Sequence, residues 1–268
     1  MLRRTFEGCN EPVPVSLYTS TGECRFSSLP GDGEGAENED AAGVWELGSG
    51  ALVLALADGM GGGPEGGEAA ALAMACLDDR LRGRKAGDSL RAPILDAFEA
   101  SNEALCAGGK GSGTTLVVVE VDAGRFRTYH AGDSGALVVG QRGRVHHATM
   151  PHSPTGYAVA AGVLEPDEVH DHADRHYLSN CLGSTELRIE VGPKHALSAR
   201  DTILLASDGI LDNVRRDDLI EEIRKGPLDV AATRVVEAAQ AAIEGRGPVV
   251  GHADDATLLL YRPGAKSE

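Results

Sequence analysis

The stretch ALVLALADGMGGGPEGGEAAA, residues 51–71, joins an apolar run to a helix-forming segment through an acidic residue and a cluster of glycines. Residues 52–57 predict a buried strand that ends at Asp58 and Gly59. Because glycine has no side chain, the backbone after Asp58 can approach a metal ion or a phosphate group closely. The stretch therefore predicts a functional site at the end of a strand. From this stretch alone, a metal ion and a phosphate group both remain open as the ligand.

The composition of the chain indicates one globular domain with an acidic balance. The chain has 268 residues, of which 42% are hydrophobic, and we expect a single domain over residues 1–268. Forty-one acidic residues against 25 basic ones give a formal charge of -16, which argues against nucleic acid as a partner. The acidic excess is explained either by solubility or by carboxylates gathered around cations.

Cysteine usage and hydropathy predict a cytoplasmic protein. The five cysteines are odd in number and widely spaced, so neither a disulfide framework nor a thiolate zinc site is expected. Residues 1–4 are basic, but the residues that follow lack the apolar core of a signal peptide. No apolar run approaches the ~20 residues of a membrane span, and we expect no membrane association. A reducing cytosol fits these features best.

Apolar patterning predicts two pairs of helices among several strands. The predicted helices cover residues 65–81, 90–106, 219–223 and 228–243, and the first and last carry apolar residues at helical spacing. Runs of apolar and β-branched residues predict strands over residues 44–47, 52–57, 114–121, 125–131, 136–140, 187–191, 202–206 and 256–261. Residues 1–43 show only scattered apolar positions and a loop, so no strand is predicted before residue 44.

Residues 146–186 are the least regular part of the chain and predict an irregular flap with short strands. No two histidines there form a His-x-x-x-His pair on an apolar helix face, and the closest pairs lie in acidic, loop-like sequence. We therefore expect solvated or locally hydrogen-bonded imidazoles rather than zinc ligands. The histidines concerned are His146, His147, His152, His170, His172 and His176.

Acidic residues recur beside small residues at the predicted strand ends. They are Asp58, Asp133, Asp208, the pair Asp254-Asp255 and the pair Glu39-Asp40. Any one of them can be a turn former or a helix cap. Together, with no histidine or cysteine at these positions, they are hard oxygen ligands suited to Mg²⁺ or Mn²⁺ rather than to zinc. Two such ions ~4 Å apart can deprotonate a bridging water and hold a phosphoryl group for in-line attack.

Six short motifs follow one another along the chain. They are Asn38-Glu39-Asp40, Asp58-Gly59-Met60-Gly61-Gly62, Gly113-Thr114-Thr115, Gly132-Asp133-Ser134, Ser207-Asp208-Gly209 and Asp254-Asp255-Ala256-Thr257. Over about residues 36–262, their order and spacing resemble the metal-dependent (type 2C) Ser/Thr protein phosphatases. The resemblance implies an α+β fold, a four-layer α-β-β-α sandwich in which two central antiparallel sheets are flanked by helix pairs. It also implies hydrolysis of phosphoserine and phosphothreonine in a phosphorylated protein substrate.

The resemblance implies a role for each residue at the metal-binding end of the sheets. Asp58 would bridge two metal ions, and Gly59 would offer its carbonyl oxygen to the second. Asp208 and Asp254 would complete the shell of the first ion, and Asp254 is preferred to Asp255 because the family's ligand is the first residue of that motif. Asp58, Asp208 and Asp254 would then be catalytic through the hydroxide that bridges the ions, with no covalent intermediate.

Three further acids complete the implied ligand set. Glu39 and Asp40 would hold metal-bound waters or the second ion itself. Asp133 would serve the third, more loosely held ion of bacterial-type members. The implied cofactors are therefore two Mn²⁺ or Mg²⁺ ions, with Asp133 as the site of a third.

Three positions depart from the family's pattern. Gly35 stands where family members commonly carry an arginine whose guanidinium can hold the substrate phosphate. Gly135 replaces a second arginine, and Met60 stands where some relatives have a histidine proposed as general acid. Three other arginines are candidates to reach the cleft: Arg3, Arg4 and Arg25. We still predict metal binding and phosphatase activity.

Two rival functions follow from the same residues. Residues 132–136, Gly-Asp-Ser-Gly-Ala, look like the nucleophile segment of trypsin-like serine proteases, but the Ala-Ala-His-Cys signature and the helix after a nucleophile elbow are missing. A pseudophosphatase acting as a metal-binding regulatory or interaction module would explain the missing arginine at Gly35. Against it, buried carboxylates repel one another and are hard to retain without cations.

The oligomeric state and the substrate class are two further expectations. A monomer is expected, and small-molecule phosphate esters remain open as substrates.

Overall fold

The computed structural model describes residues 1–31, 37–60, 64–84, 87–109, 111–175, 177–247 and 251–264. The helices in these ranges are α1 (Pro64–Gly83), α2 (Arg91–Gly108), α3 (Pro154–Ala160), α4 (Asp208–Leu211), α5 (Arg216–Ile223) and α6 (Leu228–Ile243), with 3₁₀ helices at Gly48–Gly50 and Pro166–Asp171. The strands are β1 (Arg3–Glu7), β2 (Glu11–Thr19), β3 (Gly22–Leu29), β4 (Asp40–Glu46), β5 (Leu52–Met60), β6 (Gly113–Thr114), β7 (Leu116–Asp122), β8 (Arg125–Ala131), β9 (Gly135–Val139), β10 (Val145–Ala148), β11 (Glu190–Val191), β12 (His195–Ala196), β13 (Thr202–Ala206) and β14 (Ala256–Pro263).

The strands form two antiparallel sheets that pack face to face. The first sheet has the order β1-β4-β5-β7-β8-β11, with β6 paired to β5 and β12 paired to β8. The second has the order β10-β9-β13-β14-β3-β2. Helices α1 and α2 share a hydrophobic core with the first sheet, and α4, α5 and α6 share one with the second. The predicted four-layer α-β-β-α sandwich is therefore confirmed.

Strand β5 explains why residues 52–57 are apolar at every position. Val53 and Ala55 lie in the core under α1 and α2, whereas Leu52 and Leu54 lie in the core between the two sheets. Successive residues of a strand point to opposite faces, so a strand buried on both faces alternates between two cores. The central position of β5 follows from this pattern, and it carries Asp58 to the edge of both cores.

Antiparallel pairing brings the predicted ligands to one end of the sandwich. Asp40, the first residue of β4, lies directly opposite Asp58 on β5. In the second sheet, the last residue of β13 pairs with the first residue of β9 and with a residue near the start of β14. The segments before β9, after β13 and before β14 therefore meet at one edge. They carry Asp133, Asp208 and Asp254.

The first forty residues differ from the prediction, because they contain three strands. Strand β1 buries Phe6 alone, and β2 is an edge strand with two prolines and mostly exposed or half-buried residues. Strand β3 buries the polar residues Arg25, Ser27 and Ser28. Apolar alternation is absent from β1 and short in β2 and β3, and prolines interrupt it in β2, so pairing with neighbouring strands determines these elements.

Other boundaries differ less. The helices predicted over residues 65–81, 90–106 and 228–243 are confirmed as α1, α2 and α6, and the one predicted over residues 219–223 begins earlier as α5. The strand predicted over residues 187–191 is reduced to β11. The segment 146–186 contains α3, whose N-terminus is capped by the Ser153 hydroxyl accepting from the Gly156 N–H at 3.0 Å. No helix in the described ranges is long and apolar enough to cross a membrane.

Candidate metal centre

The first two carboxylates stand on neighbouring strands of the first sheet. Asp40 is 3% exposed and faces Asp58 across β4 and β5. The Oδ2 atom of Asp40 accepts a hydrogen bond from the Ser207 hydroxyl at 3.0 Å, and its backbone N–H donates to Oδ1 of Asn38 at 2.8 Å. Ser207 belongs to the second sheet's end, so the two sheets hold Asp40 between them.

Two threonines hold the backbone of Asp58. The Asp58 N–H donates to Oγ1 of Thr115 at 3.0 Å, and its carbonyl oxygen accepts from the Thr115 N–H and from the Thr114 hydroxyl, both at 2.8 Å. The Thr115 hydroxyl also lies 2.7 Å from the hydroxyl of Ser134. Because Ser134 follows Asp133 directly, the threonines connect the end of β5 to the turn that carries Asp133.

Glycines allow the first turn of α1 to approach the acids. A Cβ atom at Gly59 would overlap the carbonyl oxygen of Gly66, and a Cβ atom at Gly66 would overlap the carboxylate of Glu39. Without side chains at these positions, α1 packs directly against Glu39 and the backbone of Gly59. The close approach seen at Gly66 is to Glu39, whereas the predicted approach of the glycines to a metal ion stays a prediction; residues 61–63 lie outside the described residues.

The remaining acids come from the second sheet. Asp208 is the first residue of α4, and a Cβ atom at the following Gly209 would overlap the carbonyl oxygen of Asp255, so these two segments are in direct contact. The carboxylate of Asp255 accepts from the N–H groups of Gly31 at 2.9 Å and Glu39 at 2.6 Å. Asp255 therefore braces the backbone around the predicted ligand Glu39.

Five aspartates lie close together, and burial and neighbouring carboxylates raise the pKa of four of them. Burial raises the pKa of Asp58 well above its usual range, and the charges of the other four raise it further. Burial is also the main reason why the pKa values of Asp40 and Asp208 are raised. We call Asp40, Asp58, Asp133, Asp208 and Asp254 the carboxylate cluster. Such a set favours either protons or a cation.

The donor atoms of the cluster fit hard divalent cations. Among the described residues, Oδ1 of Asp40 and Oδ1 of Asp208 are buried without a hydrogen-bond partner. A buried polar atom left unpaired costs free energy, so these two oxygens point to a ligand. Carboxylate oxygens are the ligands that Mg²⁺ and Mn²⁺ prefer. The residues present therefore fit the predicted ions, whose number and identity stay predictions.

Asp212 is an acid at this site that sequence analysis missed. Burial and then the charge of Asp133 raise the pKa of Asp212 to about 7, and the nearby Arg175 opposes this rise. Asp212 follows Asp208 by four residues, and residues four apart lie on the same side of a helix. The Asp-x-x-x-Asp spacing was the available signal, but α4 is too short to be predicted from periodicity.

The arginines proposed for the cleft make other contacts. Arg3 binds the carboxylate of Asp78 at 3.1 Å. Arg25 binds that of Glu23 at 2.9 Å. The guanidinium of Arg4 lies 5.3 Å from the ring centre of Phe6. These contacts give none of the three a visible role at the cluster.

The three residues that depart from the family's pattern lie in different parts of the structure. Gly35 lies outside the described residues. A Cβ atom at Gly135 would lie 3.0 Å from Cδ1 of Leu211, so an arginine there would require Leu211 to shift. Met60 is the last residue of β5 and pairs with Gly113.

The described histidines of the 146–186 segment make local contacts. His146 lies 3.5 Å from the carboxylate of Asp201, and Nε2 of His147 lies 2.9 Å from the hydroxyl of Thr128. Nδ1 of His172 accepts from a backbone N–H at 3.1 Å. These contacts agree with the predicted local role. Two histidines fall wholly or in their side chains outside the described part: His170 and His176.

His152 belongs to a buried network that reaches the Asp133 turn. Its Nδ1 accepts from the Gly132 N–H at 3.1 Å and from the side-chain amide of Asn180 at 2.8 Å. Its own backbone N–H donates to the carbonyl oxygen of Gly132 at 3.0 Å. Both backbone groups of Gly132 are therefore held by one residue, directly before Asp133.

His130, His152 and Glu190 also lie close enough together to suggest a metal site, with one possible ligand atom from each within 4.8 Å of the others. Because Nδ1 of His152 accepts two hydrogen bonds, its proton is on Nε2, 3.3 Å from the Glu190 carboxylate. That nitrogen then has no lone pair for a metal. Burial lowers the pKa of His130 to about 4, so its ring is neutral too. Its ring stacks on that of His152 with the ring centres 4.4 Å apart, and its Nε2 lies 2.8 Å from the carbonyl oxygen of Met150.

Sequence comparisons give one family. The family model described as Protein phosphatase 2C matches residues 32–242. Serine/threonine protein phosphatase PstP of Mycobacterium tuberculosis is 31% identical over 231 residues, which are 84% of this chain and 42% of PstP. The chain thus spans less than half the length of that relative. Protein phosphatase PhpP of Streptococcus pneumoniae is 26% identical over 77% of this chain and 82% of its own.

Solved structures agree with the sequence comparisons. The crystal structure of M. tuberculosis PstP superposes with a TM-score of 0.73 at 28% identity, covering 90% of this chain and 99% of that one. The catalytic domain of PstP in complex with two manganese ions gives a TM-score of 0.68 at 27% identity, with 90% and 99% covered. With most of its length matched in both sequence and fold, this chain belongs to the protein phosphatase 2C family of Ser/Thr phosphatases.

Proposed function

We propose that this protein is a metal-dependent protein phosphatase that hydrolyses phosphoserine and phosphothreonine, with two Mn²⁺ or Mg²⁺ ions at the carboxylate cluster. The convergence of five aspartates, two of them with buried unpaired oxygens, is the observation that carries the proposal. The names of its relatives and the manganese ions of PstP support the same activity.

We assign the central ligand position to Asp58. Its pKa is raised by the charges of all four other members of the cluster, as is expected of a carboxylate placed between them. Asp208 and Asp254, from the second sheet, would complete the ligands of the first ion. Asp255 is not assigned as a ligand, because its carboxylate already accepts two backbone N–H groups.

The Gly59 carbonyl, Glu39 and Asp40 would hold the second ion or its waters, and Asp133 would hold a third. When bound, the ions activate a water as the nucleophile and stabilise the charge of the phosphoryl group. The protein's own residues fix the ligand geometry. Ser207 orients Asp40 by donating to its carboxylate at 3.0 Å, and Asp58 is fixed through its backbone.

Arg175 is our candidate for the phosphate-binding role that Gly35 cannot fill. Its positive charge acts on the carboxyl of Asp212, so its guanidinium lies near the acids of α4. It also lines a cavity whose wall includes Asp208. A guanidinium presents several N–H donors in one plane, which suits the oxygens of a phosphate.

Hydrolysis of a phosphothreonine peptide with Mn²⁺ tests the proposal. EDTA is expected to abolish turnover, and a serine-directed fluorophosphonate is expected to leave it intact. Asp208→Asn should lower kcat/KM by more than the about 10–100-fold that loss of an outer-shell partner costs. Asp96→Asn, an exposed acid on α2, is the matched control and should change nothing. Mn²⁺ binding without hydrolysis of p-nitrophenyl phosphate or any phosphopeptide would overturn the catalytic part.

The second candidate function is a pseudophosphatase that binds metal and a partner protein, and the glycine at position 35 favours it. Asp208→Asn separates the two functions: loss of Mn²⁺-dependent turnover supports the enzyme, whereas unchanged partner binding without metal supports the module. We also propose a monomer in the cytoplasm. The five cysteines are free in the structure, in keeping with a reducing compartment.

A further inference from the structure

A cavity of about 420 Å³ lies beside the carboxylate cluster. Its lining includes the start of β9, α3 with the residues around it, and residues of α4 and α5. We call it the flap cavity, because most of its lining comes from residues 148–175. Asp133 and Asp208 belong to its lining, so the cavity is continuous with the proposed metal centre.

Away from the acids, the flap cavity is mainly apolar. Leu137, Met150, Val159, Val169 and Leu219 contribute side chains to it. A volume of about 420 Å³ falls within the range of pockets that take small ligands or side chains, roughly 300–1,000 Å³. The cavity is therefore large enough for one or two apolar side chains from another molecule.

The lining carries charges of both signs. It contains three acids, Asp133, Asp208 and Asp212, and two cations, Arg175 and Arg216. With metal ions held by the acids, as proposed above, the arginines beside an apolar interior match a phosphorylated residue followed or preceded by an apolar one. An extended chain advances only about 3.3–3.6 Å per residue, so a neighbouring side chain reaches the cavity while the phosphate is at the cluster.

We propose that the flap cavity is a substrate subsite that receives an apolar side chain next to the phosphorylated residue. This inference rests on the proposed phosphatase function and adds a sequence preference to it. Contacts remote from the reacting group contribute binding energy that improves kcat/KM. The subsite therefore selects protein substrates over phosphate esters that lack such a side chain.

Val159→Trp is the variant that tests the subsite. Val159 is half-buried on α3 and lines the cavity, outside the three hydrophobic cores, so a larger side chain fills the cavity without disturbing them. Val163→Trp is the matched control, because Val163 is 79% exposed and lies outside the lining. If Val159→Trp does not fold, Ala160→Phe replaces it, at an exposed position of the same lining.

The assay compares three phosphothreonine peptides: one flanked by glycines, one with leucine before and one with leucine after the phosphorylated residue. The native protein should show kcat/KM about tenfold higher for one leucine peptide than for the glycine peptide. Val159→Trp should remove that gain and leave the glycine peptide unchanged, while Val163→Trp keeps it.

Two results would overturn the subsite alone: equal turnover of the three peptides by the native protein, or an equal loss on all three peptides in Val159→Trp. A third result would overturn the proposed phosphatase function as well as the subsite. If none of the peptides is hydrolysed with Mn²⁺, the proposed phosphatase function fails, and the subsite fails with it.

Discussion

Replacing Asp133 by asparagine is expected to stabilise the metal-free protein. Burial raises the pKa of Asp133 to about 6 from 3.8, partly offset by two backbone hydrogen bonds, and the charge of Asp254 adds to the rise. Above pH 6 the folded protein therefore carries a half-buried negative charge that is poorly solvated. Asparagine has nearly the same shape without the charge, and its Oδ1 can still accept a backbone N–H.

The size of this effect follows from the change in pKa. A rise from 3.8 to about 6 is worth at most about 3 kcal/mol, at 1.36 kcal/mol per unit. Because the folded pKa of Asp133 is the higher one, the penalty is absent below pH 3.8, grows up to pH 6 and is complete above it. Asp133→Asn should therefore raise the free energy of unfolding by up to about 3 kcal/mol at pH 8 and by almost nothing at pH 4.

Urea denaturation in EDTA at pH 8 and pH 4 measures the gain, with Asp96→Asn on the surface of α2 as the control. Calorimetry should show a higher Tm at pH 8, by roughly 2–4 °C per kcal/mol. Added Mn²⁺ should stabilise the native protein more than the variant, because a ligand that binds only the folded state adds stability. A lower unfolding free energy for Asp133→Asn at pH 8, or a gain independent of pH, would refute the reasoning.

Substitutions at three other positions separate phosphate binding, packing and positioning. Arg175→Gln should raise KM for a phosphopeptide about tenfold, because a charged hydrogen bond to the phosphate is lost. The control Arg200→Gln, at an exposed position, should leave KM unchanged. If Arg175→Gln has the same KM as the native protein, the assignment of Arg175 is wrong. Gly59→Ala should lower the free energy of unfolding, measured by urea denaturation, by about 1–3 kcal/mol, because the added Cβ overlaps neighbouring backbone. The control Gly48→Ala has open space around the added Cβ and should change the free energy of unfolding little. His152→Leu should raise the Mn²⁺ concentration needed for activity, and His152→Asn should raise it less. If the two variants need the same Mn²⁺ concentration, a positioning role for His152 is excluded.

Sequence could predict which end of the fold carries the carboxylate cluster, because the signals for that end are local. An apolar run followed by Asp58 and glycine marks both a buried strand and its end, and the same pattern recurs at Asp208. Antiparallel pairing then requires these ends to meet, as the Asp40–Asp58 register shows. The four layers follow from the helix pairs and from a strand that is apolar at every position.

What sequence could not predict depends on contacts between distant segments. Strand β2 has prolines and few buried residues, and its pairing with β3 determines it. His152 holds Gly132 from twenty residues away and meets Glu190 from farther still. None of these partners is recognisable from neighbouring residues, because the geometry arises only when the sheets have packed.

Helix α4 joins the proposed metal centre to the flap cavity. Asp208, Leu211 and Asp212 all line the cavity, although Asp208 is also a proposed ligand. A side chain that fills the cavity therefore contacts the same helical turn that a bound cation would hold through Asp208. Two ligands that favour one arrangement of a shared element strengthen each other's binding by the same factor. A non-hydrolysable phosphonate peptide with leucine should therefore bind more tightly in Mn²⁺, and Mn²⁺ more tightly with the peptide. Val159→Trp should remove the leucine-dependent part of this coupling, and its persistence in that variant would place the coupling elsewhere.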